Sequence, residues 1–273
     1  MKHLLLAGNG FVGRVTAQLF RENGWKVTTL SRSGAGDEVA DISSLESLRE
    51  LSGRIDSPTH IVHCASASGG GEDAYRAVYL NGVQNLQQVF PSAKLLFTSS
   101  TSVYPQVDGS LVTEESPTEL DRETGKILLA AEKLVLASGG YVARLAGVYG
   151  NGRSYLLRRF IAGEGTMEED GSRLLNHTHN EDAASGILFL LENDSEAGIY
   201  NICDSTPRSQ KETYELLSEK FNQAMPASVP RNLQSKRGWS HKAVSNAKIR
   251  SLGWQPKYPS LIHAAKIVVE LLK

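Results

Sequence analysis

Cysteine is scarce in this chain. Its 273 residues hold only Cys64 and Cys203, too few for a disulfide scaffold and set in apolar, strand-like surroundings that suit a reducing compartment, so a cytoplasmic location is expected. Long hydrophobic runs are missing too. No stretch reaches the ~18 apolar residues of a membrane span, and the run after Met1-Lys2 stops at Gly8, too soon for a signal peptide. Net charge is nearly absent: 29 Lys and Arg against 30 Asp and Glu leave −1, which provides no global field to draw nucleic acid or membrane. One absence is local. No acid occurs between Glu219 and Glu270, a window that holds Lys220, Arg231, Lys236, Arg237, Lys242, Lys248, Arg250, Lys257 and Lys266. Without aromatic interleaving or an overall positive charge this window is no nucleic-acid module; it reads as a solvated basic face or as a pocket for an anionic group.

What is present is a rhythm. His3 to Ala7 is a continuous apolar run ended by glycine, the mark of a strand buried on both faces. Phe11 to Glu22 then carries Val12, Val15, Leu19 and Phe20 at helical spacing, and Asn23-Gly24 stops it. Strands over 25–30, 60–65, 94–99 and 141–145 alternate with helices over 45–51, 73–90 and 128–137. That alternation predicts an α/β fold, a doubly wound parallel Rossmann sheet. Beyond Gly150 the pattern loosens, with helices predicted over 181–191, 211–221 and 261–272 and a strand over 198–203. The predicted division is a dinucleotide-binding domain from 1–150 and 176–203 and a smaller C-terminal substrate lobe from 151–175 and 204–273, closing over the carboxyl ends of the strands.

Gly8-Asn9-Gly10-Phe11-Val12-Gly13 fits G-x-G-x-x-G, and it follows a buried strand and opens a helix. In that setting Gly8 permits a tight turn, Gly10 lets the backbone approach a pyrophosphate, Gly13 allows close helix packing, and the helix N–H groups hold the anion. An NAD site needs a carboxylate about 20 residues on for the ribose 2′-hydroxyl. Here the second strand ends Ser31-Arg32-Ser33, where Arg32 suits a 2′-phosphate. NADP is therefore the expected cofactor and NAD the alternative, with Asp37 on the following loop as the acid that would restore it. Asp41-Ile42 stands where an acid can meet the adenine amino group, or where Asp41 caps the next helix.

The glycine loop, Asp41-Ile42, His63-Cys64-Ala65-Ser66, Asn81-Gly82, Phe97 to Tyr104, Arg144 to Gly150 and His179 to Asp182 follow in one order. In this the chain resembles the NAD-dependent epimerase/dehydratase family, the extended branch of the short-chain dehydrogenases/reductases, from residue 1 to about 260. The resemblance implies a nicotinamide cofactor along the sheet with Cys64, Ala65 and Ser66 beside it, and a small-molecule substrate, often a nucleotide sugar, under the C-terminal lobe. Arg153 would meet an anionic part of that substrate. It also implies a homodimer, with neither nucleic acid nor membrane as partner. Ser100 matches the serine that holds the substrate oxygen.

The family's acid/base pair, a Tyr and a Lys four residues on, is where the chain departs. Counting back from Glu132, the two positions fall on Thr124 and Leu128, and no tyrosine lies between Tyr104 and Tyr141. A Thr hydroxyl does not ionise usefully near neutral pH and Leu carries no charge. Lys126 is about 200° around a helix from either position. Tyr79, Tyr104 and Tyr149 are the available substitutes, Tyr104 being nearest in sequence to Ser100. His177-Thr178-His179, with Glu181 and Asp182, suggests a metal site, but the resemblance makes these lobe-interface residues and Asn180 a helix cap, so no metal is expected. Two readings result: an NAD(P)-dependent oxidoreductase or epimerase/dehydratase-like enzyme with a non-standard acid/base, and a non-catalytic NADP(H)-binding sensor.

Overall fold

In the computed structural model, residues 2–193, 195–231 and 239–272 are described. Lys236 and Arg237 of the basic window lie outside them. The chain divides into two compact units. One comprises Met1–Val103, Glu119–Arg144 and Ala184–Tyr200, and the other Tyr104–Thr118, Leu145–Ala183 and Asn201–Lys273. This division assigns residues 104–118, 145–150, 176–183 and 201–203 to the second unit, whereas the strand–helix rhythm alone groups them with the first.

The first unit is built on a seven-stranded parallel sheet with flanking helices. Its elements begin with β1 (His3–Ala7), α1 (Phe11–Glu22), β2 (Lys26–Ser31), β3 (Glu38–Val39), α2 (Leu45–Ser52) and β4 (His60–His63). They continue with α3 (Glu72–Tyr75), a π-helical turn (Arg76–Asn81), α4 (Gly82–Val89), β5 (Lys94–Ser100) and α5 (Glu123–Ala137). The strand order is Ile199–Ile202, Tyr141–Leu145, β5, β4, β1, β2, β3. Leu4, Leu5 and Leu6 of the central strand are wholly buried, as expected of a strand covered on both faces. β1 and α1 have the bounds that the pattern predicts, but the buried residues of α1 are Gly13, Thr16, Ala17 and Phe20, while Val12, Val15 and Leu19 are half-buried. At Gly13 a Cβ would lie 1.9 Å from the Gly8 carbonyl oxygen, so glycine is what lets the helix start this close to the loop. Ser44, not Asp41, caps α2, its side chain accepting from the Ser47 N–H.

The second unit is held by short strand pairs. Gly147–Tyr149 runs parallel to His177–His179, Thr166–Glu168 to Ala227–Val229, and Leu111–Val112 to Ala243–Val244. Its core gathers Leu157, Phe160, Leu217, Leu261 and Val268. The helix Gln210–Phe221 opens with a capping box between Ser209 and Glu212. Thr166–Glu168 is a strand whose Glu168 pairs with Arg173 at 3.2 Å. Among the described residues no helix is long and apolar enough to cross a membrane.

Candidate functional site

The turn between β1 and α1 has the geometry its glycines suggest. Gly8 has φ +108°, and a Cβ on it would lie 2.4 Å from the Ala65 nitrogen and 2.7 Å from the Cys64 carbonyl carbon. Its N–H donates to the Leu30 carbonyl at 3.0 Å, and the Cys64 N–H donates to the Ala7 carbonyl at 2.8 Å. Gly8, Cys64 and Ala65 are thus pressed together at the carboxyl ends of β1 and β4. A Cβ at Gly10 would meet nothing within 4 Å, so that side of the turn is open. No side chain caps α1, which carries no acid in its first turn. An open glycine turn before an uncapped 12-residue helix fits a dinucleotide diphosphate held by the N–H groups of the Asn9–Gly13 segment.

The loop after β2 closes back on that turn. Asn9 donates its side-chain amide to the Ala35 carbonyl, and the Ala35 N–H donates to Ser31 Oγ at 2.9 Å. Asp37, which the sequence left as a free acid, is tied back to β2 and α1 though exposed. Its carboxylate accepts from the Thr29 N–H and hydroxyl, each at 2.9 Å, and from Arg21 at 2.7 Å. Burial works to raise this carboxyl, but the Thr29 donors and the Arg21 guanidinium prevail and hold it below the ordinary carboxylate range. Arg32 is exposed and makes no hydrogen bond or ion pair among the described residues.

Asp41 and Ile42 continue this rim. Asp41 Oδ1 accepts from the Ser43 N–H and hydroxyl, and the Asn85 amide donates to the Ile42 carbonyl at 2.9 Å. A Cβ on Gly82 would lie 3.0 Å from Ile42 Cδ1 and 3.1 Å from His63 Nε2, so Gly82 lets α4 sit against this wall. Burial pushes the Cys64 thiol up to about 12, partly offset by a hydrogen bond with Thr98; as a neutral thiol it is a packing group, not a nucleophile. Ser66 Oγ accepts from the Ser68 N–H at 3.2 Å in the loop that follows.

Ser100 ends β5, half-buried, with Oγ accepting from the Ser102 N–H at 3.1 Å. Thr124 and buried Leu128 lie one turn apart on α5, which begins at Glu123 and so includes both. Lys126 faces elsewhere and pairs with Glu123 at 2.7 Å. Tyr104 belongs to the second unit, fully buried, its hydroxyl donating to Asn201 Oδ1 at 2.8 Å: the geometry of a packing residue. Tyr149 is also buried there, its phenol raised first by burial and then by Asp204 and Asp182. Arg153 is exposed beside Gly150, each backbone N–H of the pair meeting the other's carbonyl. His177 and His179 are pushed down to about 4 by burial, and no group of three metal-ligating side chains occurs among the described residues.

One arrangement escaped the motifs. Glu132 on α5 receives Arg144 from the strand Tyr141–Leu145 at 2.6 Å and the Ser99 hydroxyl at 2.5 Å, with both charged side chains 3% exposed. A lone acid, Glu132, directly after the apolar run Leu128 to Ala131 and a lone Arg in Tyr141 to Leu145 were its signal, since buried charges require partners.

The model of the NAD dependent epimerase/dehydratase family matches residues 4–203. The chain belongs to that family. Protein YeeZ of Escherichia coli K12 is 28% identical to it over 282 aligned positions, covering 95% of this chain and 97% of YeeZ. Among solved structures, UDP-glucose 4-epimerase of Thermus thermophilus, in complex with NAD, superposes with a TM-score of 0.82 at 21% identity, covering 99% of this chain and 98% of that one. Human epimerase family protein SDR39U1, with NADPH, gives 0.82 at 18% identity, covering 98% and 99%. At such identities the superpositions show the shared fold alone.

Proposed function

We propose that this protein is an NADP(H)-dependent oxidoreductase of the epimerase/dehydratase family, acting on a small carbonyl or hydroxyl compound with an anionic, nucleotide-sugar-like portion. The observation that carries the cofactor choice is the tie of Asp37 Oδ2 to Thr29 and Arg21, which fixes and compensates that carboxylate while Arg32 stays exposed. Gly8, Asn9, Gly10, Phe11, Val12 and Gly13 hold the diphosphate, Arg32 the 2′-phosphate, Asp41 and Ile42 the adenine, and Cys64, Ala65 and Ser66 line the nicotinamide end. Bound NADP(H) supplies or accepts hydride at nicotinamide C4. Ser100 orients the substrate oxygen by hydrogen bonding. Thr124 is neutral and can only donate or accept a hydrogen bond. Arg153 recognises the anionic portion. The protein acts in the cytoplasm, as a homodimer by analogy with its family.

Leu128, apolar and buried where the family places a lysine, favours a second reading, a sensor that binds NADP(H) without turnover. Pure protein incubated with NADPH and a panel of sugar nucleotides and carbonyl compounds separates the two. Loss of nicotinamide absorbance that Ser100→Ala abolishes supports the enzyme; tight binding with silence across the panel supports the sensor. NADH bound more tightly than NADPH would overturn the cofactor choice under either reading.

A further inference from the structure

The proposed oxidoreductase lacks a proton donor on α5, and the first unit offers one elsewhere. Tyr79 sits in the π-helical turn Arg76–Asn81, which joins α3 to α4 and packs against α5, the helix of Thr124 and Leu128. Such a turn inserts an extra residue into helical winding and redirects side chains, a device common at functional sites. Here the Tyr79 ring lies against the carboxyl end of β4 and the middle of β5. The ring stacks on His63, the last residue of β4, with centroids 6.2 Å apart and planes at 28°, and meets Phe97 of β5 edge-on at 5.9 Å. His63 and Phe97 are register partners in the sheet.

The hydroxyl points along this edge. It accepts from the Ala67 N–H at 3.2 Å, in the loop that continues from Cys64, Ala65 and Ser66. Accepting that bond leaves the phenol its own proton to give. The residue is half-buried, its ring anchored by His63 and Phe97. His63, which supports it, is pushed down to about 4, first by burial; the neutral ring donates Nε2–H to the Val78 carbonyl at 2.9 Å and serves as a wall rather than an acid. Tyr104 and Tyr149, the other two phenols considered, are enclosed in the second unit.

We propose that Tyr79 is the residue that exchanges the proton in this protein's hydride-transfer reaction. The inference rests on the NADP(H) reading above. As the substrate carbonyl carbon takes hydride from NADPH, a C–H bond forms and the carbonyl π pair moves onto oxygen. That oxygen takes the Tyr79 proton as the phenolic O–H bond breaks. The phenolate is held by the Ala67 N–H and regains a proton from solvent; NADPH ends as NADP+ and the carbonyl as an alcohol. The reverse direction uses the phenolate as base.

The test places a fluorine label on the phenol by introducing 3-fluorotyrosine at position 79 of the full chain. Fluorine resonance is followed as NADP+ is added and, separately, as 2′,5′-ADP is added, which has the adenosine and 2′-phosphate but no nicotinamide. The expected result is a shift larger than the linewidth with NADP+ and none with 2′,5′-ADP. A silent resonance while NADP+ quenches tryptophan fluorescence, or equal shifts with both ligands, overturns the proposal and leaves the cofactor reading standing. No binding of NADP+ or NAD+ brings down both. Tyr79→Phe keeps the stacking on His63, so NADPH affinity should stay within about twofold while reduction of any carbonyl the unaltered protein accepts falls by about 100-fold or more. Retained turnover in this variant overturns the proposal too.

Discussion

Asp37 and Thr29 are bound by three hydrogen bonds, each 2.9 Å long: the Thr29 N–H and hydroxyl meet the carboxylate, and the Asp37 N–H donates to Thr29 Oγ1. This reciprocal grip folds the loop after β2 back upon its own strand. The bonds to the carboxylate and the Arg21 contact all fall on Oδ2, which fixes the direction of the carboxylate and compensates its charge.

Cofactor preference should therefore respond to both faces of the loop. Arg32→Ala removes a charge-assisted contact of about 1.5–3 kcal/mol, so NADPH affinity should fall by about tenfold or more while NADH affinity changes less than about twofold. Thr29→Val removes the hydroxyl from the grip and should move the ratio of affinities toward NADH. Fluorescence titrations with the two cofactors read both effects. Equal weakening by Arg32→Ala would rule out the 2′-phosphate as its partner.

Close approach at the glycine turn makes a second expectation. A Cβ at position 13 would overlap the Gly8 carbonyl oxygen, a backbone atom that cannot swing aside as a side-chain tip can. Gly13→Ala should push α1 off the loop, at a cost of about 1–3 kcal/mol, and abolish detectable NADPH binding. At Gly10, where a methyl group meets nothing, alanine should leave the melting temperature unchanged within about 2 °C and weaken only the cofactor, because the open side is where the diphosphate lies. Calorimetry beside the titrations distinguishes the two variants.

The buried Glu132–Arg144 pair, with Ser99, ties α5 to the sheet one residue before Ser100. Breaking such a pair leaves one charge uncompensated in a low-dielectric interior, typically at 3–5 kcal/mol. Glu132→Gln should lower the melting temperature by about 10 °C. Replacing both charges together, with Glu132→Leu and Arg144→Met, should recover most of that loss, which thermal unfolding of the single and double variants will show.

These relationships mark where the sequence was legible. β1 and α1 could be read to the residue because a strand buried on both faces and an amphipathic helix leave periodic traces, and Gly8-Gly10-Gly13 joins them in a known mechanical setting. The first turn of α5 could not, since Thr124, Gly125 and Lys126 carry no apolar stripe; Gly125 instead seats against Leu120, where a Cβ would lie 2.3 Å from Cδ1. The π turn at Tyr79 has no sequence signature of its own. Asp37 lies eight residues from Thr29 across a loop whose path is set by tertiary hydrogen bonds, so chain spacing suggested a free acid where the fold has a fixed one.

Acidity in the second unit gives the last expectation. Asp204 is raised from 3.8 to about 7, first by burial and further by Asp182, against the His177 and Leu261 N–H groups and Arg208, which lower it. Asp182 is raised to about 6, again by burial first, although it accepts from the Lys257 and Tyr258 N–H groups at 2.7 and 3.1 Å. A carboxyl with a folded-state pKa above its unfolded value binds more protons folded than unfolded, so its contribution to stability grows as pH falls from about 8 toward 4 and is lost as pH rises through about 6 to 7. His177 and His179, pushed down to about 4, act in the opposite sense, removing stability as pH falls below the unfolded value of 6.5. The two contributions overlap in the unaltered protein, and Asp204→Asn separates them. Its neutral amide still offers an oxygen to the Leu261 N–H but sheds the buried charge. At pH 8 the variant should be more stable by about 1–3 kcal/mol, several degrees in melting temperature, and the gain should shrink steadily as pH falls from about 7 toward 4, where the unfolded carboxyl also becomes protonated. A gain independent of pH would mean that Asp204 is not the group that titrates.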